Sequence, residues 1–259
     1  MSLPKSRSKQ SLTRTTLIKM AIRIAIIIIA VTAVSYWHVM SNFETQTVAQ
    51  LEKYIVERGH RESQLFQLAE DNLAAFRENF LARLKNSDDE YLQKRFYQVF
   101  QKRDDGSTKS RPEYYHGIKQ TDGTVVQGIT GFIHTKSSVT AELRRRFAIG
   151  YDMLTTYGPA WFHRFDNLYF AIQDSSIIIY WPGVDWYLEA PPDLDRSEDE
   201  WVYIATPEHN PSRKLTWTAL YYDPASESSM VSCIQPIDIG EQDHILVGTD
   251  KYRTTNFLV

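Results

Sequence analysis

The pattern of apolar and polar positions changes twice along the chain. Residues 24–40 carry no Asp, Glu, Lys or Arg and are dense in Ile, Ala and Val, so a helix there is apolar on every face. Such a helix belongs in a bilayer or in the middle of a large core. From Ser41 to about Asn86 the pattern turns amphipathic. Leu65, Leu68, Leu73, Phe76, Phe80 and Leu84 recur at steps of three to five residues, and Gly59 is nearly the only breaker. One apolar stripe on a long helix is predicted.

Ser87 followed by Glu90 reads as a capping box, starting a second helix that carries Tyr91, Leu92, Phe96, Val99 and Phe100 and ends at Asp104-Asp105-Gly106. Residues 104–137, rich in Gly, Ser, Thr, Lys and Asp, read as loop with short strand pieces around 124–127 and 131–134. Thr140 is the expected N-cap of a further helix, with Leu143, Phe147, Tyr151 and Leu154 on its apolar side and Gly158-Pro159 as its stop.

Beyond this the period shortens from helical to β. Strand-like runs occupy 168–172, 177–181, 201–205, 215–220, 230–235 and 244–248, the first two flanking the turn Gln173-Asp174-Ser175-Ser176. Helices first and strands afterwards predict an α+β fold, a long N-terminal helix packed on an antiparallel sheet and preceded by one transmembrane helix. The expected organisation is a basic tail at 1–20, a membrane anchor at 21–40, a helical stalk at 41–103, a sheet domain at 104–250 and a short tail at 251–259.

Charge orients the anchor. Lys5, Arg7, Lys9, Arg14, Lys19 and Arg23 come without one acidic residue, the flank that stays in the cytoplasm under the positive-inside rule. At the other end Tyr36 and Trp37 suit the membrane–water boundary, and Ala21 and Ile22 extend the run to the roughly 20 residues a bilayer needs. A cleaved signal peptide is the rival reading, with Val31-Thr32-Ala33 as a weak cleavage site. The long basic region, and aromatic rings where small residues should stand, favour an uncleaved anchor. Under either reading everything from about Ser41 onward is expected outside the cytoplasm.

The 259 residues are 42% apolar and 13% aromatic, enough for a packed core. A net charge of −3, spread along the chain, offers nucleic acid no sustained basic field beyond the N-terminus. The single cysteine, Cys233, sits in an apolar run and reads as a small buried hydrophobe.

Seven histidines, at 38, 60, 116, 134, 163, 209 and 244, form no pair at helical ligand spacing. No zinc motif, phosphate-cradling glycine loop or nucleophile elbow accompanies them. No catalytic residue, metal or cofactor is predicted. Asp193, Asp195, Ser197 and Asp199 begin like a calcium loop, but Glu198 stands at the glycine position and Ile204 at the closing glutamate. A solvated acidic loop is expected there. Trp181, Trp186, Tyr187, Trp201, Tyr203, Trp217, Tyr221 and Tyr222 crowd one stretch, interleaved with Asp185, Asp199 and Asp223. Ordinary β-core packing and an aromatic ligand pocket both fit that pattern.

An ordered set of segments gives the chain a family likeness. Asn167-Leu168-Tyr169-Phe170-Ala171, Ile177-Ile178-Ile179-Tyr180-Trp181-Pro182, Glu200-Trp201-Val202-Tyr203-Ile204-Ala205, Trp217-Thr218-Ala219-Leu220-Tyr221-Tyr222-Asp223 and Val247-Gly248-Thr249-Asp250 follow one another. Glu142-Leu143-Arg144-Arg145-Arg146 and Tyr157-Gly158-Pro159-Ala160-Trp161 precede them. With the basic tail, single span and long helix, this resembles the double-Cache extracytoplasmic sensor domains of bacterial membrane sensor histidine kinases, over roughly residues 20–250.

The resemblance implies a PAS-like Cache sheet at 104–250, a periplasmic sensor anchored in the bacterial inner membrane, and a signalling rather than enzymatic role in a two-component system. In the family's amino-acid sensors an Arg-x-Trp-Tyr element holds the ligand carboxylate, while a Tyr-x-Asp pair and a later Asp hold its ammonium. Trp201, Tyr221, Asp223 and Asp250 match, and with Tyr203 and Trp217 they are the expected ligand-binding residues. Asp199 stands at the arginine position and Val202 at the tyrosine after the tryptophan. Without the bidentate arginine a free amino acid is disfavoured, and a cationic or hydroxyl-rich small molecule is expected instead.

The second span and kinase core usual in the family do not appear before Val259, so a fragment or a partner-dependent domain is expected. A homodimer through the stalk stripe is a further expectation. The alternative class is a membrane-anchored interaction or assembly protein binding a protein or cell-wall partner. A hydrolase using paired carboxylates ranks third.

Overall fold

The computed structural model describes residues 10–120, 123–240 and 244–252. Lys5, Arg7 and Lys9 of the basic flank and residues 253–259 of the short tail lie outside them. The chain divides into two compact units, Met1–Ser63 and Gln64–Val259.

Helix α1, Gln10–Asn86, begins in the first unit. It is long and apolar enough to cross a membrane by length and composition. Ile26, Ile27, Ile28 and Ile29 each expose more than half of their surface, an arrangement that is unfavourable in water and favourable in lipid.

Within the second unit the remainder of α1 buries Ala69, Leu73, Phe76 and Phe80 completely, at steps of four, three and four residues. Leu65 and Leu84 of the predicted stripe are half-buried and Leu68 is largely exposed. Helix α2, Asp89–Val99, is capped by Asp88 rather than by the expected Ser87: its carboxylate accepts from the Tyr91 N–H at 3.1 Å. Leu92, Phe96 and Val99 turn inward, and Phe100 already belongs to the following strand.

Strands β1, Phe100–Lys102, and β2, Thr108–Ser110, flank the Asp104-Asp105-Gly106 turn. A short helix α3, Glu113–His116, leads to the two-residue strands β3, Ile118–Lys119, and β4, Val125–Val126, and then to β5, Ile129–Ile133. Helix α4, Ala141–Trp161, is capped as predicted by Thr140, whose hydroxyl accepts from the Leu143 N–H at 3.1 Å. It does not stop at Gly158-Pro159. A proline so near the helix end removes only one intrahelical bond. Gly158 is there for packing, since a Cβ on it would stand 2.4 Å from Cγ of Tyr180.

The remaining elements are β6, Leu168–Ile172; β7, Ile177–Tyr180; α5, Trp186–Glu189; α6, Glu200–Tyr203; β8, Thr216–Trp217; β9, Tyr221–Asp223; β10, Ser228–Asp238; and β11, His244–Tyr252. The run 201–205, predicted as a strand, is therefore the helical turn α6. Trp, Val, Tyr and Ile favour strands in isolation, but the Asp199 carbonyl accepts from the N–H groups of Val202 and Tyr203 and winds the segment instead. The strand predicted at 215–220 shortens to two residues, while β10 and β11 extend past their predicted bounds.

The sheet is antiparallel throughout, in the order β1-β2-β5-β7-β6-β11-β10-β8, with β9 also on β10. Strands β3 and β4 pair separately. Alternation sorts the strand residues into two layers. Phe170, Ile178, Cys233 and Val247 face residues of α1, α2 and α4, notably Phe76, Phe80, Phe96 and Phe147. Tyr169, Ile177, Ile179, Ile234 and Leu246 face the segment carrying α5 and α6, where Tyr187, Trp201 and Val202 cover them.

Candidate functional site

The second layer holds an aromatic pocket. Its floor starts at the pair of Tyr169 on β6 with Gly248 on β11. A Cβ on Gly248 would lie 2.4 Å from Cζ of Tyr169, so only glycine lets the phenol lie across β11. There the hydroxyl of Tyr169 donates to Oδ1 of Asp250 at 3.3 Å. Asn167 completes the support: its Nδ2 donates to Oδ2 of Asp250 at 2.7 Å, and its Oδ1 accepts from the Asp250 N–H at 3.1 Å.

Burial pushes the Asp250 carboxyl up to about 6, and the nearby charge of Asp223 adds to the rise. Hydrogen bonds from Ser232, Asn167 and Tyr169 oppose it. Asp223 closes the turn after β9, with Oδ2 accepting from both the N–H and the hydroxyl of Ser226 at 2.8 Å. Between the two acids the hydroxyls of Tyr221 and Ser232 meet at 2.8 Å. Burial raises the phenols of Tyr169 and Tyr221 above their ordinary range and that of Tyr187 to about 12, so at neutral pH all three are uncharged.

The roof is the segment from α5 to α6. Lys109, buried in β2, donates to the carbonyls of Leu188 and Ala190 at 3.1 and 2.7 Å and holds the end of α5, which carries Tyr187. Ser175, in a left-handed conformation (φ 71°) at the β6–β7 turn, accepts from the Arg196 N–H at 2.7 Å. From that anchor the Arg196 guanidinium reaches over the rings of Trp186 and Trp201, 5.7 and 5.8 Å from their centroids, and pairs with Asp199. The indole N–H of Trp201 donates to the same Asp199 carboxylate at 3.1 Å.

Tyr169, Ile177, Ile179, Trp181, Tyr187, Arg196, Trp201, Tyr221, Asp223 and Asp250 line a space of ≈ 20 Å³. That is room for about one water molecule.

Four of the six predicted residues, Trp201, Tyr221, Asp223 and Asp250, thus come together. The other two stand elsewhere. Tyr203 packs at a tilt against His209 with ring centroids 5.0 Å apart, and Trp217 packs on Phe66 at 4.6 Å. The expectation that the pocket lacks an arginine is corrected: Arg196, three residues before the position that Asp199 occupies, supplies one. Nothing in the local sequence announces this, because a loop anchored on Ser175 carries the side chain in. Tyr169 was likewise missed; its neighbour Gly248 carries no signal until the two strands are paired.

In the acidic loop Asp195 accepts from the N–H and hydroxyl of Ser197 at 3.0 and 2.7 Å, which lowers its carboxyl below the usual range. Among the described residues no three His, Cys, Asp or Glu side chains are grouped to hold a metal ion.

With the Arg196 charge engaged by Asp199, the carboxylates left to this space are those of Asp223 and Asp250, walled by aromatic rings. Carboxylates among ring faces and excluded water are suited to an ammonium group. Comparison with family models, curated proteins and solved structures returned no match for the chain.

Proposed function

We propose that the chain is the ligand-sensing input part of a membrane receptor, with a Cache-like, PAS-like sheet domain outside the cytoplasm that binds a small ammonium-bearing molecule. One observation carries the reading: two carboxylates, Asp223 and Asp250, each only 5% exposed, border the same aromatic-walled space. Keeping two acids beside each other in a buried pocket is unfavourable, and although Arg196 on the same lining and the raised Asp250 carboxyl relieve part of the cost, a cationic ligand between them would relieve more.

Strand order supports the family reading. β6 stands between its hairpin partner β7 and the last strand β11, with β10 and β8 beyond, as in PAS-like sheets. The apolar run of α1 and its basic flank support an inner-membrane anchor with the sensor in the periplasm, and two-component signalling is the output the resemblance implies.

The mechanism is a population shift. A guest larger than water must part the α5–α6 roof from the sheet, and its ammonium then draws Asp223, Asp250 and Tyr221 inward. Tyr221 is bonded to Ser232, and the next residue on β10, Cys233, pairs with Trp217, which is bonded to Glu70 of α1. A displacement at the pocket thereby reaches the helix that also carries the apolar run.

The test is a thermal-shift screen of the full chain in an uncharged detergent against small amines, polyols and carboxylic acids. At a hundredfold excess over Kd, a binding amine raises the midpoint by roughly 5–10 °C, and Asp223→Asn removes the rise. If no amine acts while a stable protein partner co-purifies from solubilised membranes, the chain is an anchored interaction protein instead.

A further inference from the structure

A second cleft, sharing no residue with the aromatic pocket, gathers positive charge without a carboxylate. It lies between α2, α4, the edge strand β1 and its neighbour β2, with Tyr97 and Val139 as accessible apolar lining and Phe96 and Phe100 behind them. Its volume of ≈ 560 Å³ falls within the range of ordinary ligand sites. The cations that border it are Lys102, Arg111 and Arg144, and no Asp or Glu lines it.

The pairing of these cations sets them apart. Arg95, Arg145, Arg146, Arg196 and Arg213, all in the same unit, face carboxylates. Arg111 instead donates, among the described residues, to the Gln98 carbonyl at 3.1 Å and to Gln101 Oε1 at 2.9 Å. Arg144 donates to the Val139 carbonyl at 2.6 Å and lies over the Tyr97 ring, while its Nε is buried without an acceptor. Lys102 is exposed and has no side-chain partner among the described residues.

Two acids in or bonded to the turns that border the cleft are occupied. Asp105 accepts from Ser107 and lies 4.0 Å from Lys109, and Asp174 accepts from the Ser137 hydroxyl. Three like charges around one cavity repel each other, and a bound anion turns that repulsion into attraction.

We propose that this cleft binds a small organic anion with two or more negative charges. Lys102, Arg111 and Arg144 take the charged groups, and the carbon frame lies against Tyr97 and Val139. Hydroxyls of Thr108 and Thr135 stand on the same lining for the remaining acceptors. The proposal is independent of the amine pocket, and the two sites take ligands of opposite sign.

The experiment is isothermal titration of the full chain in an uncharged detergent with citrate and with pyrophosphate, ionic strength held constant with sodium chloride. Binding in about the millimolar range or tighter is expected. Lys102→Glu and, separately, Arg111→Gln each weaken it at least about tenfold, the scale of one charge-assisted hydrogen bond. Lys102→Glu breaks no side-chain bond among the described residues and relieves the repulsion among the three cations, so its melting midpoint without anion does not fall below the parent's. Heats that vanish at constant ionic strength, or equal affinity in the parent and both variants, overturn the proposal.

Discussion

Trp217 donates its indole N–H to Glu70 at 3.0 Å and so ties strand β8 to helix α1. The ring also packs on Phe66, and its backbone partner Cys233 lies fully buried beneath the helix layer. Trp217→Phe keeps a ring against Phe66 and deletes the bond. It is expected to cost about 1 kcal/mol and to leave amine affinity within about twofold, since Trp217 does not line the pocket. A spin label on the exposed face of α1 should then lose its ligand-induced change in mobility. A response equal to the parent's would show that the signal travels by another contact.

Asp250 makes stability fall as pH rises. In an unfolded chain its carboxyl ionises near pH 4, whereas in the fold burial holds it to about 6. Below the unfolded value both states are protonated and nothing is lost. Through the window from about 4 to about 6 the folded state resists ionisation, and the loss is complete above it, on the order of 3 kcal/mol. Urea unfolding of the parent and of Asp250→Asn, at pH 4.5 and pH 7.5, should show the variant gaining relative to the parent at the higher pH.

Amine binding, if the proposed function holds, is expected to have the opposite pH dependence. The ligand needs the ionised carboxylate, so affinity should rise between pH 5 and pH 7 with release of a proton. Titrations in two buffers of different ionisation enthalpy measure that release directly, and equal heats in both would sink the assignment of Asp250 to the ammonium.

Gly248 is the most constrained position in the pocket. An alanine there must push Tyr169 off β11, which breaks the contact with Asp250, so Gly248→Ala is expected to cost about 2 kcal/mol or more and to lower amine affinity. Adding Tyr169→Leu should restore part of the stability and none of the affinity. Denaturant midpoints and titration of the single and double variants check both.

Arg196 distinguishes two kinds of ligand by sign. For an amine the guanidinium is a repulsive neighbour, so Arg196→Gln should strengthen binding about two- to fivefold. For a ligand that also carries a carboxylate, the same change weakens binding, and Arg196 is then the clamp that the position of Asp199 lacks.

Local physics is readable in order along the chain. The apolar run of residues 24–40 and its one-sided basic flank are arithmetic of length and charge, independent of any fold. The hairpin of β6 and β7 matches its predicted bounds almost residue for residue, because strand alternation and a Ser-rich turn are both local properties. Thr140 caps α4 for the same reason.

Tertiary contacts decided the rest. The run after Asp199 has strand-forming residues, yet it coils into α6, where Trp201 meets Tyr169 edge-on at 5.2 Å across the pocket. Gly158 looks like a helix stop and is a seat for Tyr180.

From sequence alone came the apolar run long enough to span a membrane and the α+β class, and from the family resemblance four of the pocket's side chains, Trp201, Tyr221, Asp223 and Asp250. Only the fold brought Arg196 and Tyr169 to them, and left Tyr203 and Trp217 aside. Those placements depend on strand register and on a loop pinned at Ser175, and such long-range pairings leave no periodic trace in the residues that make them.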